Sequence, residues 1–124
     1  MKGKLTAALA LASLLYGSAQ AETMATGFGN HGHQYWFTDE HCEFQGHLFE
    51  NQPWATSGTG RNWKLYLSDS EENIIDTGCW AFDFIKERIA YAFEKDTALE
   101  GLHFNFEETE WTQAGTNLAK HWNK

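Results

Sequence analysis

The chain has one proline in 124 residues, two cysteines, and nine Lys and Arg against seventeen Asp and Glu. Each scarcity excludes something. A single proline beside 15% aromatic residues is the wrong composition for a disordered chain, which is rich in proline and poor in rings. A formal net charge of −8 argues against a nucleic-acid binder, because neutralising phosphates takes clustered Lys and Arg. No apolar run reaches the ~20 residues that a membrane-spanning helix requires. The two cysteines are not a Cys-x-x-Cys pair, so a thiol oxidoreductase is not indicated. No Gly-x-Ser-x-Gly elbow and no His-Glu-x-x-His motif occurs. Gly58-Thr59-Gly60 lacks the remainder of a phosphate loop and reads as a turn. With seventeen acids some carboxylate pair fits any glycosidase spacing by chance, and Glu107, Glu108 and Glu110 read as a solvated acidic turn. No catalytic residue is assigned and no cofactor is expected.

The N-terminus has a clear pattern. Lys2 and Lys4 precede an apolar run from Leu5 to Tyr16, and Ala19-Gln20-Ala21 has the small-x-small form of a cleavage site. Residues 1–21 are therefore expected to be a secretory signal peptide. Removing them takes away two lysines and no acid. The remainder has seven bases against seventeen acids, a net charge of −10. The expected location is periplasmic or secreted, with no membrane span after cleavage. Such a compartment is oxidising, and two cysteines allow one intramolecular bond, between Cys42 and Cys79.

Residues 22–34 hold Gly27, Gly29 and Gly32 with few aliphatics, and read as a flexible Gly/His-rich segment. Residues 35–124 read as a single β-rich domain. Cys42 to Phe49 alternates with period 2, as a half-buried strand does. Arg61 to Ser68 puts Trp63, Leu65 and Leu67 on one face. A polar turn then leads back through Ile74 to Trp80, completing a hairpin. Gly78 suggests a bulge or a close backbone approach. Residues 81–95 fit helical and strand spacing equally; in the strand version Asp83 to Lys86 would be a turn. Leu102, Phe104 and Phe106 alternate as a strand does. The tail has the pattern of a short helix around Leu118 to Trp122.

The stretch from Arg61 to Lys95 contains Trp63-Lys64-Leu65-Tyr66-Leu67, then Asp76-Thr77-Gly78-Cys79-Trp80, then Arg88 to Glu94. It resembles a set of small exported bacterial and phage-borne proteins with an upstream Cys and a Gly-Cys-Trp motif after a β-hairpin. The likeness covers about half of the chain beyond residue 21. It implies a β-rich fold, a Cys42–Cys79 disulfide and strand rather than helix over 81–95; it implies no activity. The His-rich start and the longer, acidic C-terminal part depart from that set. The expected fold is mainly β: a small antiparallel sheet with one disulfide and a short C-terminal helix. Trp80 is expected to pack on the disulfide, or to leave that place to a neighbouring aromatic.

Two groups of residues are candidates for function. Trp36, Trp54 and Trp111 lie near loops or the tail, where aromatics can anchor a partner with little entropy lost. His31, His33, His41 and His47 form the one cluster with metal-ligand chemistry. If His41 and His47 share a strand face, strand rise sets them about 20 Å apart, too far for one ion. The leading expectation is a non-enzymatic exported binding or inhibitor-like protein whose acidity suits a basic protein partner. The alternative is a periplasmic metal-binding protein using the 31–47 segment.

Overall fold

The computed structural model describes residues 22–43, 47–95 and 102–123. Residues 1–21, where a signal peptide is expected, lie outside the described residues. Seven strands follow one another: β1 (Thr23–Phe28), β2 (Gln34–His41), β3 (Trp63–Ser68), β4 (Ile74–Asp83), β5 (Arg88–Phe93), β6 (His103–Asn105) and β7 (Glu110–Trp111). There are two helices, α1 (His47–Glu50) and α2 (Gln113–Trp122). All neighbouring strands are antiparallel, in the order β6-β5-β4-β3-β2-β1-β7.

The sheet is curled into a half-open barrel. β6 and β2 are four strands apart, about 19 Å in a flat sheet. Yet the rings of Phe104 on β6 and Tyr35 on β2 have centroids 4.8 Å apart. Residues 106–109 carry the chain from one edge, β6, to the other, β7.

Alternation explains the inside. Phe37, Trp63, Leu65, Trp80, Phe82, Ile89 and Tyr91 project to one face and form the main core. Trp80 is central, with Phe37, Trp63 and Phe82 at 5.6, 5.0 and 5.0 Å between centroids. Its indole N–H donates to the Thr38 carbonyl at 2.9 Å. Burial, and then the neighbouring Tyr35, hold the Tyr91 hydroxyl well above the ordinary phenol range.

The β3–β4 turn is set by Asp69. Its carboxylate accepts from the backbone N–H groups of Glu71 and Asn73, both at 2.9 Å. The Asn73 backbone bond is the largest cause that holds the Asp69 pKa below the usual carboxylate range.

Three expectations are corrected. Residues 22–34 are not a flexible segment: β1 occupies 23–28 and pairs with β2 on one side and β7 on the other. Gly27 serves packing here, since a Cβ at that position would press on the Phe104 ring. The period-2 run from Cys42 to Phe49 is not a strand at its described residues, 42, 43 and 47–49. β2 ends at His41, which pairs with Trp63, the first residue of β3, so no partner strand remains beyond it. α1 forms instead at 47–50. The tail helix begins earlier than Leu118. Thr112 caps it, its hydroxyl accepting from the Gly115 N–H at 3.0 Å. A Cβ at Gly115 would overlap the Met24 carbonyl, so this residue lets α2 lie directly on β1.

The strand reading of 81–95 holds. β4 runs to Asp83, residues 84–87 turn, and β5 pairs back with Cys79 opposite Ala92 and Phe82 opposite Ile89. Gly78 is a close approach, since a Cβ there would overlap the Ala92 carbonyl.

Candidate functional site

Cys42 and Cys79 form the expected disulfide, with Cα atoms 5.7 Å apart. Neighbouring residues of a strand point to opposite faces. Cys79 therefore faces outward while Trp80 faces the core, and Trp80 does not pack on the bond. Cys42, Cys79, Phe49, Ala55 and Ala81 form a separate cluster, with Leu48 and Trp54 against it. This cluster lies between the outer face of β4 and the excursion joining β2 to β3. Two further ties hold that excursion. Ala55 bridges Asp83, and the Thr56 hydroxyl accepts from the Phe82 N–H at 3.3 Å.

The three candidate tryptophans are placed in packing roles. Trp36 is 2% exposed and its indole donates to the Ser68 hydroxyl at 2.8 Å, which removes it as an exposed anchor. Trp54 is half-buried, edge-on to Phe49. Trp111 is half-buried, stacked near Phe82, with its indole donating to the Phe106 carbonyl at 3.1 Å. Aromatics next to turns look like anchors in sequence; here Trp111 packs on the main core, Trp36 lies in a small cluster with Tyr66 and Ile74, and Trp54 packs on the disulfide cluster.

The histidines are dispersed. His31 and His33 flank the β1–β2 turn, ring centroids 6.1 Å apart. His41 is at the far end of β2 and His47 opens α1. From His33 to His41 the strand rise alone is about 26 Å. The fold does not bring His31 and His33 together with His41 around one ion. Among the described residues no group of three or more His, Cys, Asp or Glu is arranged to hold a metal.

Beside the disulfide, an outer cleft of about 490 Å³ is lined by Glu40, His41, Glu43, Lys64, Thr77 and Glu94. Glu40 accepts from the Tyr66 hydroxyl at 2.9 Å and lies 3.9 Å from the Lys64 ammonium. Three carboxylates against one ammonium suit a cationic group. Alternation puts Glu40, Lys64 and Tyr66 here, on the face opposite Phe37, Trp63 and Leu65.

At the β4–β5 turn, at the barrel's end, the burial of one side chain and the display of another are features the sequence did not show. Asp83 is fully buried, and one of its oxygens accepts from the Ile85 and Lys86 N–H groups, both at 3.1 Å. The other accepts from Arg88 Nε at 2.9 Å. Ile85, held by this carboxylate, is 76% exposed. The available signal was an Asp closing one strand and an Arg opening the next, with an aliphatic residue left between them.

No protein-family model, no curated protein and no solved structure matches the chain.

Proposed function

We propose that the protein is a small exported binding protein, inhibitor-like and non-enzymatic, that meets a basic protein partner on its outer surface. The observation that carries this reading is the filled interior. Barrels that bind small ligands inside keep a lumen. Here rings from β2, β3, β4, β5 and β6 occupy that space, and Trp122 of α2 reaches Trp63 at 6.0 Å. Recognition then has to use the outside.

The outside is acidic. Among the described residues only two ion pairs form, Lys64–Glu40 and Arg88–Asp83, so most acids are not neutralised within the fold. An excess of one sign raises the association rate with a partner of the other sign and makes it salt-sensitive. Export to the periplasm or outside the cell is supported by the signal pattern of residues 1–21 and by the resemblance to small exported proteins. A disulfide is compatible with such a compartment. Basic cell-wall hydrolases and toxins are one class of partner with the required charge.

The test is retention of proteins from a periplasmic extract on the immobilised chain. A discrete basic protein should be retained at low salt and released at high salt. Retention of nothing at low salt would remove the reading.

A further inference from the structure

We propose that the β4–β5 turn is the contact surface, with Ile85 entering an apolar recess on the basic partner protein. This rests on the outward-binding reading and names the part of the surface that carries it. A single exposed aliphatic residue is unremarkable by itself. What sets Ile85 apart is how firmly it is held.

Asp83 at the base of the turn is buried and receives three donors, two from the turn's backbone and one from Arg88. Phe84, beside Ile85, stacks on Phe82 at 4.8 Å and meets Phe106 edge-on at 6.0 Å. The Phe106 N–H donates to the Glu87 carbonyl at 3.0 Å, fixing the turn to the 3-10 turn Phe106–Glu108. Glu87 has φ +52°, in the left-handed region that a residue with a Cβ rarely occupies. His31, Thr56 and Glu72 share this region, so at Glu87 it marks a backbone fixed by its surroundings and does not by itself single out the turn.

The consequence is an aliphatic side chain displayed by a backbone with little freedom left to lose. Binding through a preorganised turn avoids much of the ordering cost of association. The other large exposed hydrophobics among the described residues are Phe28 at 43% and Ile75 at 38%, well below Ile85. They lie toward the opposite end of the barrel, where Phe28 pairs with Gln34 and Ile74 with Ser68.

Charge supplies the kind of partner. Glu87 and Glu107 line a cleft of about 390 Å³ next to the turn, with Lys86, Asn105 and Phe106. Two carboxylates against one ammonium leave a local excess of one negative charge, in the same sense as the chain as a whole. A recess rimmed by Lys or Arg fits this arrangement, and a recess rimmed by acids does not.

The experiment places a benzophenone amino acid at position 85, or at position 75 as the comparison, in the full chain in its native cells. The photo-adduct is identified by mass spectrometry. That protein is then purified and its Kd measured against the unmodified chain, Ile85→Ser and Ile75→Ser. Both substituted side chains are exposed, and thermal melting checks that the fold is kept. The expected result is an adduct with a basic protein from position 85. Ile85→Ser should weaken its binding roughly 30-fold, as loss of a central anchor does, and Ile75→Ser by less than about twofold. If the protein retained from extract at low salt binds Ile85→Ser as tightly as the unmodified chain, the turn is not the contact, although outward binding stands. If neither position gives an adduct and nothing is retained at low salt, both readings fall.

Discussion

Replacing Trp80 with alanine is expected to lower the free energy of unfolding by about 3–5 kcal/mol, the range for deleting a large buried ring. Trp80 is completely buried and packs against Phe37, Trp63 and Phe82. Its removal leaves a cavity at the centre of the curled sheet and takes the donor from the Thr38 carbonyl. Small domains have a total stability of roughly 5–15 kcal/mol, so this single change should bring the fold close to its limit. Trp80→Phe separates the two contributions. It keeps a ring in place but loses the N–H, and should cost about 1–2 kcal/mol more than its change in volume alone. Urea unfolding of the three chains measures both. A loss under about 1 kcal/mol for Trp80→Ala would mean the interior is not packed around this ring.

Breaking the Cys42–Cys79 bond is the second large effect. The bond closes a loop between residues 37 apart, and chain entropy sets its contribution near 3–4 kcal/mol. Its place in the fold says where the loss will appear. The bond fastens the β2–β3 excursion to β4 over a small cluster of Phe49, Ala55 and Ala81. The barrel core lies on the other face of β4 and does not touch the sulfurs. Reduction should therefore lower the urea midpoint while Trp80 stays buried below it, and the amides of 47–58 should exchange faster before those of β2–β4. Coincident midpoints with and without reductant would contradict this role.

The alternating strands were the legible part. Trp63, Leu65 and Leu67 alternate with Lys64 and Tyr66, and the polar run after Ser68 can only turn. An expected export and the count of two cysteines pointed to the disulfide. β1 was hidden because three glycines read as loop, whereas Gly27 leaves room for a ring from five strands further along the chain. The end of β2 was hidden because the alternation runs on past His41, and only the register with Trp63 shows where the partner stops. The same long-range geometry turned Trp36 and Trp111 from candidate anchors into packed side chains. Periodicity reports which face of its own strand a side chain takes. It does not report that a sheet curls until its far strands touch. The β4–β5 turn was recognised as a turn in the strand version of 81–95, but burial of Asp83 and display of Ile85 follow only from the folded chain.

The central claim is that the barrel is filled by its own rings and recognises its partner from outside. The most direct measurement is an NMR titration with a long-chain fatty acid as an apolar probe, following the Trp80 indole N–H and the rings of Phe37 and Phe82. The account predicts that these core signals do not move. A saturable shift of the Trp80 N–H, with loss of its bond to the Thr38 carbonyl, would show a ligand entering the interior and would contradict it.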